Sequence, residues 1–247
     1  MALCCIVAGL SAKEAAAGTE ITVSAALSLK APLEEIGRLY EKKTAARVVY
    51  NFGPSGMLQK QIENGAPVDV FAAASLREMD SLEAGGFIIP ATREDFAGNA
   101  MVLITAADAQ RQAYSFADLR KKEITRIAIG NPASVPAGKY SEETLRSLGL
   151  WDAVQSKLVY AEHVKQVMDY VSRGEVDAGM VFLTDAMGRS KELRVIAEAP
   201  ASSHRPVVYT IAAIRGTKNN AARNFIAMVI SREGREILRK YGFKVSP

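Results

Sequence analysis

Beyond its fifth position the chain has no cysteine. Cys4 and Cys5 are the two it contains, side by side in the apolar run Ala2–Leu10, so the body of the protein has neither a disulfide framework nor a thiol nucleophile. Histidine is equally scarce, with His163 and His204 the whole supply. A serine triad needs one of them, and no Gly-x-Ser-x-Gly elbow is present to display its nucleophile. The chain also lacks His-Glu-x-x-His, any Cys/His cluster, a Gly-x-x-x-x-Gly-Lys-Ser/Thr phosphate loop and a Gly-x-Gly-x-x-Gly after a strand. Zinc hydrolases, phosphate-loop enzymes and dinucleotide enzymes are thereby disfavoured. Asp69, Asp177 and Asp185 fall at strand edges, where they cap helices or pair with cations; their spacing assigns no acid/base pair.

Two further absences bear on partners. After Leu10 no run reaches the ~18 apolar residues that cross a bilayer. The formal charge is only +4, and the basic residues are scattered; Arg120-Lys121-Lys122 is short and ends at Glu123. Nucleic-acid binding needs a basic stripe, so these charges read as a solvated surface.

What remains is 247 residues of ordinary globular composition, 49% hydrophobic and 23% charged, enough for one large domain or two modest ones. Residues 1–17 read as a signal peptide: an apolar stretch, then Ala15-Ala16-Ala17 before Gly18, although the basic n-region is missing. Export is expected. Strands are expected at Ile21–Ala26, Arg47–Phe52 and Val68–Ala73, with helices at Ala31–Lys43, Met57–Asn64 and Leu76–Ala84 between and after them. A second set follows, with strands at Met101–Thr105, Arg126–Gly130, Leu158–Tyr160 and Ala178–Phe182 and helices at Ala137–Leu148 and Val164–Arg173. Val207–Ile214 reads as a long strand, and Ala221–Lys240 as two closing helices around Ser231. Such alternation implies parallel sheets covered on both faces. Two lobes follow, residues 18–99 plus 213–247 and residues 100–212, with crossings near Met101 and Val207 and a cleft at the carboxyl ends of the strands. No internal sequence repeat is visible.

The chemistry lies in four strand-to-helix turns, two in each lobe: those at Ser28, at Ser55, at Val135-Pro136-Ala137-Gly138 and at Glu162-His163-Val164. A helix start leaves backbone N–H groups without intrahelical partners, and a serine adds a hydroxyl, so an oxyanion can be held there without a formal positive charge. Pro136 has no N–H, so the donors of its turn are Ala137 and Gly138. A serine in such a place is also a common plain N-cap.

At these residues the chain resembles the molybdate-binding periplasmic proteins of ABC-type uptake systems. The resemblance runs through Ala25–Leu29, Asn51–Leu58, Gln61–Phe71, Val135–Tyr140, Val164 to Glu175 and Asp177–Ala186. It implies an α/β, two-lobed periplasmic-binding-protein fold, each lobe a mainly parallel sheet flanked by helices, with two crossover strands. It further implies a solute-binding protein, not an enzyme, that closes on molybdate, and on tungstate as well, and delivers it to a membrane permease. The implied contacts are Ser28 and Ser55 through hydroxyl and N–H, and Ala137 and Val164 through N–H. Phe182 stands where the family has a tyrosine, so that hydroxyl donor is missing. No cofactor, no direct protein–metal ligand and no nucleic acid is implied; a monomer outside the cytoplasm is. Two alternatives stay open: a binding protein for another oxyanion such as sulfate, phosphate or chromate, which Phe182 keeps alive, and a small hydrolase or transferase using Ser55 or Ser28.

Overall fold

Runs rich in Val, Ile and Ala, closed by Gly, Pro or Asn, form the strands of a computed structural model that describes residues 20–109, 113, 115–217 and 220–245. The expected signal peptide and both cysteines lie outside the described residues. The first lobe opens with β1 (Glu20–Ala26), α1 (Lys30–Lys43), β2 (Arg47–Gly53), α2 (Ser55–Glu63), β3 (Val70–Ala73), α3 (Leu76–Ala84) and β4 (Glu94–Asn99). The chain then crosses into the second lobe as β5 (Met101–Ala106), followed by β6 (Ile127–Gly130), α4 (Pro136–Ser147), α5 (Trp151–Val154) and β7 (Leu158–Ala161). That lobe is completed by α6 (Val164–Ser172), β8 (Ala178–Phe182), α7 (Leu183–Met187) and β9 (Leu193–Glu198). β10 (Val207–Ala213) returns to the first sheet, and α8 (Asn220–Ile230) and α9 (Arg232–Lys240) close the chain on α1.

Among the described residues each sheet has five strands, ordered β2-β1-β3-β10-β4 and β7-β6-β8-β5-β9. The first three strands of each order are parallel, as the strand–helix alternation implies. The remaining pairings are antiparallel, so the sheets are mixed where mainly parallel ones were expected. The cause is the crossing. β5 and β10 each arrive from the other lobe instead of through a helical crossover, and enter against the local strand direction. β10 belongs to the first sheet from Val207 onward, so the return falls between β9 and β10, ahead of the 212/213 boundary expected from the sequence.

Both sheets are covered on two faces, and period-2 alternation sorts their side chains. Along β5, Met101 and Leu103 join the core under α4 and α5 with Ile127, Ile129 and Leu145, whereas Val102 and Ile104 join the core under α6 with Val167 and Val171. In the first lobe, Val23, Leu33, Ile36, Tyr40, Phe225 and Val229 fill one face, and Leu58, Phe71, Met79 and Leu82 the other. Fully burying such a side chain is worth about 1.5–3 kcal/mol, so each lobe holds its own sheet rigid and presents its turns from a fixed frame.

Two of the carboxylates anchor strands. Asp69 accepts the Thr22 N–H at 2.9 Å while its own N–H donates to the Thr22 carbonyl. Asp177 does the same with Arg126, accepting its N–H at 3.0 Å.

Candidate functional site

A cleft of about 760 Å³ opens between the lobes, lined by Ser28, Ser55, Ala137, Val164 and Phe182 together with Arg205, Val207 and Tyr209 of the return crossing. The five residues singled out in the sequence are thus brought to one place from five different turns. None of the four strand-to-helix turns faces away.

In the first lobe β1 ends at Ala26 and a single 3₁₀ turn, Leu27–Leu29, leads into α1. Leu29 is buried and anchors the turn, while Ser28 is exposed to the cleft. After β2, Pro54 supplies the N-cap of α2 and its carbonyl accepts the Met57 and Leu58 N–H groups. The helix therefore starts at Ser55, two residues earlier than expected, with Ser55 in its first turn. No side chain caps α2, which leaves the first N–H groups to whatever enters the cleft. Ser55 Oγ accepts the Ala74 N–H at 3.1 Å, tying the α2 start to the end of β3.

In the second lobe Pro136 occupies the first position of α4, where its fixed φ suits the helix and its missing N–H costs nothing. No side chain caps this helix either. The turn is compressed: a Cβ on Gly138 would lie 2.0 Å from the Gly130 carbonyl oxygen. The α4 start thus rests directly on the end of β6, with the Ala137 and Gly138 amides set by backbone contact. His163 caps α6, its Nδ1 accepting the Gln166 N–H at 3.0 Å, so Val164 is the first helical residue.

Phe182 ends β8 and sits before α7. Its ring meets the Tyr140 ring edge-on at a centroid distance of 5.7 Å. No hydroxyl replaces the missing one at position 182, but two other phenols line the cleft, those of Tyr140 and Tyr209. Tyr209 is buried on β10, and burial pushes its phenol up from the ordinary tyrosine value although hydrogen bonds with Ser28 and Asn99 pull the other way. Burial likewise raises Tyr140. These two tyrosines are cleft-lining residues that the strand-to-helix turns did not point to; the signal is a phenol inside an otherwise apolar stretch, whose O–H must find a partner.

The charged groups along the cleft are Arg77, Glu78, Lys139, Asp185 and Arg205. Arg77 bridges Glu78 at 2.6 Å and Arg205 bridges Glu143 at 2.8 Å, so most of the positive charge at the mouth is already answered. Asp185 is different. Burial pushes its carboxyl up to about 6, against a backbone hydrogen bond from Phe182 that lowers it.

Neither histidine is among the lining residues. His204 packs against Tyr140 with its Nδ1 at 2.7 Å from the Arg205 carbonyl. Among the described residues no group of three or more His, Cys, Asp or Glu side chains is placed to hold a metal ion, and no helix is long and apolar enough to cross a membrane.

Comparison with known proteins agrees with this geometry. Residues 21–244 match the family model described as bacterial extracellular solute-binding protein. The chain is 39% identical to the putative ABC transporter substrate-binding lipoprotein YvgL of Bacillus subtilis, over 96% of this chain and 93% of that protein. It is 35% identical to the molybdate-binding protein ModA of Haemophilus influenzae, over 92% of this chain and 91% of that one. Among solved structures, the substrate-binding domain of a putative molybdenum ABC transporter from Clostridium difficile superposes with a TM-score of 0.88 at 35% identity, covering 93% of this chain and all of that one.

Proposed function

The chain belongs to the bacterial extracellular solute-binding protein family, and on that premise we propose that its cleft captures molybdate, and tungstate with it, for delivery to the membrane permease of an ABC transporter. The observation that carries this is the meeting of four helix starts, two from each lobe, in one cleft: those of the first lobe carry Ser28 and Ser55, that of α4 has no side-chain cap, and that of α6 is capped by His163 through the Gln166 N–H. In this reading Ser28 and Ser55 donate from hydroxyl and amide, Ala137 and Val164 from amide alone, and no donor carries a formal charge.

A neutral shell suits the task. Its fixed N–H and O–H groups define a cavity size, and an oxyanion too small to reach all of them leaves buried donors unpaired at about 1–3 kcal/mol each. Sulfate is disfavoured on that ground. Lobe closure around the ligand gives a permease a shape distinct from the empty one. The protein acts outside the cytoplasm, as a monomer.

Calorimetric titration of the mature chain from Gly18 onward with molybdate, tungstate and sulfate, separately, tests the proposal. Strong heat with the first two and none with sulfate is expected; preference for sulfate, or silence with all three, overturns it. A second reading, an altered oxyanion preference, is favoured by one observation, the apolar Phe182 among the residues lining the cleft. A hydrolytic role for Ser55 or Ser28 draws no such support, since Ser55 Oγ is held by the Ala74 amide and the lining includes no histidine.

A further inference from the structure

Position 182 carries no hydroxyl, but Thr184 stands two residues further on, in the first turn of α7 and among the residues that line the cleft. Its surroundings decide where its proton goes. Behind it lies Asn99, the last residue of β4, buried and not among the lining residues. Asn99 Oδ1 accepts the Ala100 N–H at 2.9 Å, which fixes the orientation of the amide and leaves Nδ2 to donate to Thr184 Oγ1 at 2.9 Å and to Tyr209 Oη at 3.3 Å. An amide nitrogen has only protons to give, so Thr184 Oγ1 is the acceptor in this bond and keeps its own O–H for another group.

Among the described residues no protein group takes that proton. A threonine inside a helix commonly donates to a carbonyl three or four residues back. Thr184 is the second residue of α7, so those positions are Val181 and Met180, which belong to β8 and pair with β5. The turn is also held from behind. The Leu183 N–H donates to the Ala100 carbonyl at 2.8 Å, pinning the start of α7, and a Cβ on Gly242 would lie 3.5 Å from Thr184 Cα and 2.9 Å from Met187 Cγ. With Asn99 and the C-terminal segment packed against it, the half-buried Thr184 has the cleft as its open side.

We propose that Thr184 Oγ1 donates to the anion held in the cleft, supplying from the start of α7 the hydroxyl that Phe182 cannot, and that Asn99 is the positioning residue that fixes it without touching the ligand. This rests on the oxyanion reading above and adds a second-lobe hydroxyl to its neutral shell. The donor is the side chain; the amides of the short α7 take no part. Because the same Asn99 amide also holds Tyr209 of β10, the hydroxyl is set in a fixed relation to both lobes where the chain crosses.

The test is a double-mutant cycle read by molybdate calorimetry on the mature chain: wild type, Thr184→Val, Phe182→Tyr and the combination, each with its melting temperature. Thr184→Val keeps the shape of the side chain and is expected to weaken molybdate binding about tenfold. Phe182→Tyr should restore most of that loss, and so gain more beside Thr184→Val than in wild type, because one hydroxyl then stands in for the other. A purely structural role for Thr184 would give no such rescue. Thr184→Ala is expected to behave as Thr184→Val does, Thr184→Ser to bind like wild type, and Asn99→Ala to show a smaller loss that vanishes beside Thr184→Val. Wild-type affinity in Thr184→Val and Thr184→Ala, or an equal gain from Phe182→Tyr in both backgrounds, overturns the Thr184 assignment while the oxyanion reading stands. A wild-type protein that binds neither molybdate, tungstate nor sulfate overturns that reading, and the assignment with it.

Discussion

The two lobes follow one strand plan and furnish their halves of the cleft with different chemistry. The order β2-β1-β3-β10-β4 corresponds strand for strand to β7-β6-β8-β5-β9, with the same parallel and antiparallel pairings. Even the anchoring carboxylates correspond: Asp69 binds the β1 start as Asp177 binds the residue leading into β6. Yet the turn after β1 carries Ser28 and the turn after β6 carries Ala137; the turn after β2 carries Ser55 and the turn after β7 carries Val164. The plan therefore supplies helix-start amides in both lobes, and at these four positions only the first lobe adds hydroxyls; the second lobe brings its own to the cleft from Ser134, Tyr140 and Thr184. A backbone arrangement, with its anchoring carboxylate, has been repeated without a repeat in the side chains at those four positions.

That contrast can be broken in several ways. The largest effect is expected from Gly138→Ala, whose Cβ meets the Gly130 carbonyl. Either β6 or α4 must shift, at about 1–3 kcal/mol of stability, and the Ala137 amide moves with it, so thermal denaturation and molybdate titration should both register the change. Next come Ser28→Ala and Ser55→Ala, each expected to weaken molybdate binding by about 1–3 kcal/mol with little change in the melting temperature of the empty protein; unchanged affinity in both would end the hydroxyl assignment. Phe182→Tyr adds a hydroxyl at the end of β8 and should tighten binding by about 1 kcal/mol, measured by the same titration.

A pH series addresses Asp185. Its carboxyl is ionised above about 6, where it repels a dianion in the same cleft, so molybdate binding should strengthen as pH falls through that value. The other titratable groups lining the cleft are Tyr140, Tyr209, Arg77, Glu78, Lys139 and Arg205, and Asp185→Asn isolates the carboxylate from them by flattening the profile. The stability effect has the same sign. A raised folded-state value means that the Asp185 contribution is greatest below the ordinary carboxylate range and is lost as pH rises through about 6. The smallest effect belongs to Val164→Ala, which keeps its amide and should change affinity by under about 0.5 kcal/mol.

Much of this architecture was legible in the chain. α3 and β8 have the bounds their patterns imply, and Ser28, Ser55, Ala137, Val164 and Phe182 all line the cleft. β4 and β9 escaped notice for a shared reason: both are edge strands, and their sequences, Glu94-Asp95-Phe96-Ala97-Gly98-Asn99 and Leu193-Arg194-Val195-Ile196-Ala197-Glu198, carry the charges that edges need and lack a clear buried run. The direction of β5 and β10 was equally hidden, because alternation reports which face a residue takes and not which way its strand runs. Tyr209 lay beyond reach because its contact with Asn99, 110 positions away, depends on two crossings meeting.

The Pro136 turn, resting on Gly130 with its donors in the main chain, bears on how such a cleft can drift. A missense change can delete a serine hydroxyl in one step, but short of introducing proline it cannot delete an amide. The second lobe's share of the pocket is thus inherited almost regardless of which side chains come to occupy it. Mutation is left to explore ligand preference chiefly through Ser28, Ser55 and position 182.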